Sequence, residues 1–536
     1  MRLFGRFFAL VIGLVFLVPY SYAATVTGHV KGTDGAPFMG AFVIAQNSQT
    51  KMSVNVLSDK DGRYHIDNLP AGKYSVRIRA IGYQSAPQND VNVSEKQNVS
   101  FDFSLQKGTV RWSDISIYQG MQLLPKGEGH DELFGSCFVC HAFQTRMASA
   151  TRDEEGWRDR VQYMRDTMDL GPRFSDARAD KIVKYLTATF GPDSTKPKSP
   201  ADMPDYQKLV RPFSEQAMNI VYVEYDVTSP DAKGLPWSAA PDKEGNLWMP
   251  YYGNGNKVGR LNPKTGETKF YNLPPEVPSA GVHSAIPVPD GTVWFTEFFL
   301  NKIAHLDPKT GQITEYQDAA GTGRSGGEEG GGGSKHTIRM DPQGTLWMSG
   351  GPFSSFDPET KKFTDYKEVP STYGVIVDSQ GNKWFAVYSN ENGAIGRVDA
   401  KTGKISQWPT KIGGAQRLQV DSSGMVWFSN RRGDILGRFD PKTETFKSFP
   451  LPGPSPSSYA LGIDQKNNVW FDSTNQDTIN RLDPQTGQVT EYPIPHSEGL
   501  YREFFLDPQG RMWYATPTNN RVGYFYLAGS NQAAQR

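Results

Sequence analysis

Short runs of alternating apolar and polar residues fill the chain from about residue 212 to its C-terminal end. Within them, a pattern of Asp or an equivalent residue, Gly, two or three further residues, Trp and an aromatic residue or Met occurs seven times. Alternation with a period of two predicts β-strands, and units of about 40 residues with four strand signals each predict the blades of a β-propeller. The sequence therefore predicts a seven-bladed β-propeller over residues 215–528. The repeated tryptophans are Trp248, Trp294, Trp347, Trp384, Trp427, Trp470 and Trp513.

The two ends of the repeat region predict how the ring of blades closes. The last repeat stops at "RVGYFYL" without a fourth strand, whereas "NIVYVEYDVT", residues 219–228, precedes the first repeat and alternates like a strand. We expect this N-terminal strand to complete the seventh blade, which joins the two ends of the propeller.

Residues 24–107 also alternate in short runs, which are separated by turn signals such as Asp61-Gly62. Such runs predict antiparallel strands joined by tight turns, and hence a small β-sandwich. The elements "GAFV", "DKDGRY" and "LPAGKY" in this region resemble the carboxypeptidase regulatory-like domain family. That resemblance implies a structural or adhesive role.

Helical periodicity marks the region between these two β-rich parts. "EEGWRDRVQYMRDTM" places Trp157, Val161, Met164 and Met168 on one face of a helix. A second helix is predicted after Ser175 as N-cap, over "DARADKIVKYLTATF", and it should end before Gly191. The whole chain is thus predicted to be mainly β, with an N-terminal β-sandwich, a small α-helical domain over residues 108–192, a semi-rigid linker over 193–214, the propeller, and a tail over 529–536.

The first 23 residues have the composition of a secretory signal. Arg2 and Arg6 precede an apolar run, and small residues stand at Ser21 and Ala23. About 15 apolar residues are fewer than the roughly 20 that a membrane-spanning helix needs, so we expect cleavage after Ala23 and export to the periplasm. No later stretch is apolar enough to span a membrane. The counts of acidic and basic residues are equal, 57 each, so the chain lacks the excess of positive charge that is typical of nucleic-acid-binding proteins.

Both cysteines of the chain, Cys137 and Cys140, stand directly before His141 in "GSCFVCHAFQ". A zinc site would need further ligands of matching type, and a thioredoxin-like pair would need a βαβ pattern that the surrounding sequence lacks. Cys-x-x-Cys-His is the signature of covalent haem attachment, in which the thiols add to the two vinyl groups and the adjacent imidazole binds the iron. The sequence therefore predicts haem c.

Residues 110–192 resemble the class I cytochrome c family, on this motif and the two helices that follow it. The resemblance implies His141 as the proximal iron ligand and a methionine as the distal ligand. Met168 stands closest to the expected loop, Met164 is the alternative, and His130 is a weaker candidate. A thioether ligand would raise the haem potential relative to two histidines.

Residues 215–528 resemble the streptogramin B lyase (virginiamycin B lyase) family, most closely in "GTVWFTEFFLNKIAHLDPKTGQITEY". The resemblance implies a metal-assisted elimination that opens a cyclic depsipeptide, with histidine and glutamate side chains at the propeller axis. Two sets of equivalent positions should form rings there. The first, five residues before each Asp-type position, is Trp237, His283, His336, Tyr373, Gln416, Tyr459 and Arg502. The second, three residues after each tryptophan, is Tyr251, Glu297, Gly350, Val387, Asn430, Ser473 and Thr516.

His283, Glu297 and His336 are the candidate catalytic residues of these rings. They should face one channel opening as a general base with a carboxylate, or as a partial site for a divalent metal. The alternative is that the polar side chains lining the channel only form hydrogen bonds with one another and with bound water. Later blades carry Tyr, Gln and Arg at positions where the lyase would supply histidine and glutamate.

Three functions follow from these patterns. In the first, the propeller binds or oxidises a small-molecule or peptide-like substrate, and the haem passes electrons to or from a periplasmic partner. In the second, the propeller is a metal-dependent lyase or hydrolase. In the third, the propeller binds a ligand without chemistry. The haem motif favours the first, because a covalently fixed redox centre has no role in an elimination.

Overall fold

The computed structural model describes residues 24–139, 141–166, 175–277, 279–319, 334–389, 393–431 and 433–529. The chain is mainly β, with 41% strand and 14% helix. The predicted signal segment, Cys140, Met168 and all but the first residue of the predicted tail lie outside the described residues. Within the described ranges, no helix has the length and apolar character needed to cross a bilayer.

The N-terminal region is β-sandwich-like. Its strands are β1 (Ala24–Lys31), β2 (Phe42–Asn47), β3 (Met52–Leu57), β4 (Arg63–Leu69), β5 (Gly72–Arg79), β6 (Tyr83–Gln84), β7 (Gln88–Val93), β8 (Asn98–Ser100), β9 (Phe103–Ser104) and β10 (Gln106–Lys107). One sheet has the order β4-β1-β8, with β9 also on β1, and a second contains β3-β2-β5-β7. Alternate residues of β1 point inward, so that Val26 and Val30 are fully buried.

The helical segment, residues 108–192, contains α1 (Ile117–Leu123), α2 (His130–Ser136), α3 (Glu154–Asp166) and α4 (Asp176–Phe190). The predicted cap of α4 is present, because Ser175 Oγ accepts from the Arg178 amide at 3.3 Å. Trp157 and Val161 of α3 are buried in one hydrophobic core with Leu186 of α4. Helix α4 therefore has the predicted start and end, and the described part of α3 buries Trp157 and Val161 of the predicted face, whereas Met168 lies outside the described residues.

Seven sheets succeed one another along the described part of residues 220–527, which we call the propeller region. The first blade comprises β12 (Leu235–Pro236), β13 (Ala240–Pro241), β14 (Leu247–Tyr252), β15 (Lys257–Asn262) and β16 (Glu267–Asn272). The second comprises β17 (Val282–Pro287), β18 (Val293–Glu297), β19 (Lys302–Leu306) and β20 (Ile313–Gln317), and the third β21 (Lys335–Met340), β22 (Leu346–Gly350), β23 (Ser354–Asp357) and β24 (Lys362–Asp365).

The next three blades have four strands each. The fourth comprises β25 (Thr372–Val377), β26 (Lys383–Val387), β27 (Ala394–Val398) and β28 (Ile405–Pro409), and the fifth β29 (Leu418–Val420), β30 (Val426–Ser429), β31 (Ile435–Asp440) and β32 (Thr445–Pro450). The sixth comprises β33 (Leu461–Ile463), β34 (Val469–Ser473), β35 (Thr478–Leu482) and β36 (Val489–Pro493). The seventh combines β37 (Phe505–Leu506), β38 (Met512–Thr516) and β39 (Arg521–Leu527) with β11 (Ile220–Asp226).

The repeated Asp and Trp of the sequence pattern bond to each other in six blades. In the third blade, for example, the Trp347 indole N–H donates to Asp341 at 2.9 Å, while the other oxygen of Asp341 accepts from the Thr345 amide. One carboxylate thus fixes both the turn and the tryptophan that packs between neighbouring blades. In the second blade Val288 stands at the Asp position, and this bond is absent there.

The strand β11 closes the seventh blade as the sequence predicts. It pairs antiparallel with β39 from Ile220↔Leu527 to Asp226↔Arg521. Its other edge pairs with β3, for example Val223↔Val54, so that one eight-stranded sheet runs from the seventh blade into the N-terminal region. The edge of the closing strand is thereby covered, which protects it from pairing with another chain.

The predicted linker, residues 193–214, packs along the helical segment. The Trp112 indole N–H donates to the Pro197 carbonyl at 2.8 Å, and Gln119 donates to the Leu209 carbonyl at 3.2 Å. Tyr206 is buried in the helical core. These contacts show that the segment is not a spacer surrounded by solvent.

Candidate functional site

A cavity of about 480 Å³ lies between the helical segment and the first blade. The helical segment contributes Cys137, His141 and Met164 to its wall, and the first blade contributes Trp237 and Tyr252. The cavity wall therefore includes the first cysteine and the histidine of the Cys-x-x-Cys-His sequence and one of the two methionine candidates. The cavity falls within the size range of cofactor pockets.

His141 points a neutral imidazole into this cavity. Its Nδ1 donates to the Ala142 carbonyl oxygen at 3.0 Å, which leaves Nε2 as the atom available to a ligand. Burial lowers the pKa of His141 to about 4, and the charges of Arg146 and Arg502 act in the same direction. A neutral ring with its second nitrogen held by a backbone carbonyl is the usual state of a metal-binding histidine.

Of the other residues predicted to bind the haem, the structure describes Cys137, Met164 and His130. Burial raises the pKa of the Cys137 thiol to about 12, so the free side chain is a protonated thiol. Met164 lines the cavity, and so does Met147, which the sequence did not suggest. His130 does not line it: its Nδ1 is 2.7 Å from Asp131 and its Nε2 is 3.3 Å from the Lys126 amine.

The charged side chains that line the cavity in the described residues are all cationic: Arg146, Arg152 and Arg160. The indole N–H of Trp157 is buried beside them without a hydrogen-bond partner, and the Arg152 guanidinium lies 4.9 Å from the Trp157 ring. A buried donor of this kind costs free energy unless a guest accepts from it. The cavity therefore suits a largely apolar guest that carries anionic groups, which fits a haem with its two carboxylates. Sequence reasoning missed the arginines, although all three lie in "TRMASATRDEEGWRDR" around Trp157.

His283 and His336 lie together at the axis of the propeller region. Their ring centroids are 4.0 Å apart. His283 accepts from the Trp237 indole N–H at Nε2 (2.9 Å) and donates from Nδ1 to the His336 carbonyl (2.9 Å). Burial holds the pKa of both histidines well below the usual value, and Arg417 and Arg502 lower it further. Both imidazoles are therefore neutral.

Other members of the first predicted ring continue this contact around the axis. The Tyr373 ring is 4.3 Å from the His336 ring, and the Tyr373 and Tyr459 hydroxyls are 2.5 Å apart. The Arg502 guanidinium lies 5.2 Å from the Tyr459 ring and 4.2 Å from the Trp237 ring. Trp237 also belongs to the cavity wall, so the axial ring and the cavity share a side chain.

Glu297 does not join the two histidines. Thr296, one position earlier on β18, donates to the His336 carbonyl at 3.2 Å, and successive strand residues point to opposite faces. Glu297 instead faces Glu315 and Lys302 of its own blade. In the part of the chain that is described, no group of three or more His, Cys, Asp or Glu side chains could hold a metal ion. The predicted three-residue cluster is thus reduced to a pair of histidines.

We expect Glu297→Gln to remove a pH-dependent loss of stability. Burial and the charge of Glu315 raise the pKa of Glu297 from 4.5 to about 8. Because the folded state holds this proton more tightly than the unfolded state, the stabilisation is complete below about pH 4.5 and is lost as the pH rises through about 8. Thermal melts between about pH 5 and pH 9 should show the wild type losing stability relative to the variant. Parallel melting curves would contradict this, and the exposed Glu267→Gln is the control.

Comparisons with known protein families give matches in the two β-rich regions. Residues 25–106 match the carboxypeptidase regulatory-like domain, and residues 359–535 match the virginiamycin B lyase family. A solved streptogramin B lyase structure is 23% identical over 59% of this chain and 100% of that chain, with a TM-score of 0.50. The virginiamycin B lyase of Staphylococcus aureus is 23% identical over 57% of this chain and 98% of its own, with a TM-score of 0.49. A search of curated protein sequences finds no match.

The chain carries a carboxypeptidase regulatory-like domain and a virginiamycin B lyase-like propeller. At 23% identity the likeness to the solved lyase shows the fold alone. Neither family match extends over the helical segment, so its cytochrome c character stays a prediction.

Proposed function

We propose that the protein is an exported, periplasmic c-type cytochrome fused to a substrate-binding propeller. Haem c would be held by thioether bonds from Cys137 and Cys140, with His141 as an iron ligand. The observation that carries this proposal is the cavity of about 480 Å³, whose wall includes Cys137, His141 with its neutral ring, and three arginines. When bound, the haem would accept and release single electrons.

The side chains of the cavity have separate roles in this proposal. Arg146, Arg152 and Arg160, together with the Trp157 N–H, would bind the two carboxylates of the haem. A methionine would supply a second ligand to the iron. Met164 is supported by its place in the cavity wall, whereas Met168 lies outside the described residues.

The propeller would present its substrate close to the haem. Trp237 lines the cavity and bonds to His283 in the axial ring, so a small-molecule or peptide-like substrate in the channel would be about one side chain away from the cavity. Tyr373, Tyr459 and the two histidines offer it aromatic faces and hydrogen-bonding groups. A periplasmic donor or acceptor would then exchange electrons with the haem.

A lyase or hydrolase of the streptogramin type is the second candidate, and the likeness of the propeller region favours it. His283 uses both ring nitrogens in hydrogen bonds to protein. His336 Nδ1 is 2.9 Å from Thr337 Oγ1, and its Nε2 would be the nitrogen offered to a substrate. His336 would then be the general base of such a reaction. A propeller that binds its ligand without chemistry is the remaining alternative.

Anaerobic reduction of the holoprotein by candidate substrates tests the proposal, with the haem absorption bands as the readout. We expect His283→Ala and His336→Ala each to slow substrate-dependent reduction by at least about 100-fold, because each removes a ring contact and a polar group from the channel. Reduction by dithionite should be unchanged in both. His65→Ala, at an exposed site of the N-terminal region, is the control.

Two outcomes would separate the candidates. Unchanged substrate-dependent reduction in both variants would exclude the channel as the substrate site. Cleavage of a cyclic depsipeptide with no change in the haem bands would instead favour the lyase.

A further inference from the structure

The connection between the sixth and seventh blades reaches into the helical segment. Leu500 of this connection is buried in the hydrophobic core of that segment, with Phe143 and Met147 among its members. Glu498, two residues earlier, is fully buried. A loop of the propeller region is thus part of the structure that surrounds the Cys-x-x-Cys-His sequence.

The carboxylate of Glu498 binds the residues that directly follow His141. One oxygen accepts from the Ala142 amide at 2.9 Å. The other accepts from the Thr145 amide at 2.9 Å and from the Thr145 hydroxyl. The carbonyl of the same Ala142 accepts from His141 Nδ1 at 3.0 Å. Ala142 is therefore held on one side by the propeller and on the other side by the histidine ring.

The backbone conformation of Glu498 is fixed by separate hydrogen bonds to Asp477. Its φ of 68° lies in the left-handed region that non-glycine residues seldom adopt. Asp477 fixes this conformation, since it accepts from the amides of Glu498 (3.3 Å) and Gly499 (3.1 Å). Asp477 also accepts from the Gln144 side chain at 3.0 Å. Two carboxylates of the propeller region therefore bind one short stretch of the helical segment.

We propose that Glu498 is a positioning residue for His141, through which the propeller region sets the orientation of the imidazole and the reduction potential of the haem. This inference rests on the proposed haem site, but it concerns a residue outside the haem-binding sequence. Groups that bond to a metal ligand or to its immediate support orient that ligand and tune the metal. A buried negative charge near the iron favours the oxidised, more positively charged form, and so lowers the potential.

Burial raises the pKa of Glu498 to about 7, so the test uses the full-length holoprotein at about pH 8.5, where this carboxylate is ionised. Redox titration gives the midpoint potential, and hydrogen exchange of the Ala142 and Thr145 amides reports on the loop. Glu498→Gln, which keeps the shape and removes the charge, should shift the midpoint to a higher potential and speed both exchanges. Asp421→Asn is the matched control, because Asp421 is a buried carboxylate that accepts from the Met425 amide and the Trp427 indole within the fifth blade. It should leave both readouts unchanged.

Glu498→Asp separates positioning from simple packing. It keeps the charge but shortens the side chain, so its midpoint should stay closer to the wild type than that of Glu498→Gln. A larger shift for the aspartate than for the isosteric glutamine would mean a packing role and would overturn the inference. Should Glu498→Gln fail to fold, Thr145→Val, which removes one donor to the carboxylate, must shift the same readouts.

The outcomes distinguish this inference from the proposed function. If the wild type carries no covalent haem, the proposed function and the inference both fail. If haem is bound normally and Glu498→Gln leaves the midpoint and the two exchange rates unchanged, the inference alone is wrong.

Discussion

Replacing Cys137 and Cys140 together by alanine is expected to abolish covalent haem incorporation completely. Each thioether bond requires one of these thiols, and the chain has no other cysteine. His141 alone could then hold a haem only by coordination, which denaturation would release. The measurement is mass spectrometry of the denatured protein, purified from cells that make c-type haem, where the wild type should carry the added mass of one haem.

Met164→Ala serves as the matched variant for this experiment. It should keep the haem mass, because it removes no thiol, but it should lose the far-red sulfur-to-iron absorption band if Met164 is the distal ligand. Loss of that band in Met168→Ala instead would assign the ligand to Met168. A haem mass adduct that persists in the double cysteine variant would refute covalent attachment at these residues.

Local patterns made much of the fold predictable. In six of the seven blades the turn and the tryptophan depend on an aspartate only six residues before the tryptophan, so the blade signal is contained in one short stretch of sequence. Counting five residues back from the equivalent position of each repeat, Val288 and Asp341, also placed His283 and His336 beside each other. Helix α4 was equally predictable, because its cap, apolar face and terminal glycine all lie within "SDARADKIVKYLTATFG".

Features that depend on distant parts of the chain could not be predicted in this way. Glu498 bonds to residues more than 350 positions away, and no periodicity marks it out. The pairing of β11 with β3 joins two regions that the sequence suggests are separate domains. Glu297 was assigned to the axis by counting, but the parity of its strand turns it to the opposite face from Thr296. The equivalence of blades predicts which position reaches the axis, but the face of the strand decides whether the side chain at that position points there.

The closing strand gives the second large effect, in the substitution Val223→Pro. Val223 lies in the middle of β11 and pairs with Tyr524 on one side and Val54 on the other. Proline lacks the amide N–H and is poorly tolerated inside a sheet, so the change removes a ladder hydrogen bond from a strand that is paired on both edges.

We expect Val223→Pro to lower the free energy of unfolding by about 1–3 kcal/mol, because the buried partner of the lost hydrogen bond is left unsatisfied. Because β11 joins the last blade both to the start of the propeller region and to the N-terminal sheet, the loss should appear in the melting of both regions together. Gln407→Pro is the control, since Gln407 lies on β28, the outermost strand of the fourth blade. Thermal denaturation should show a much smaller change for Gln407→Pro. Equal melting temperatures for the two variants would mean that β11 contributes no more than an edge strand, and that the ring does not depend on it for closure.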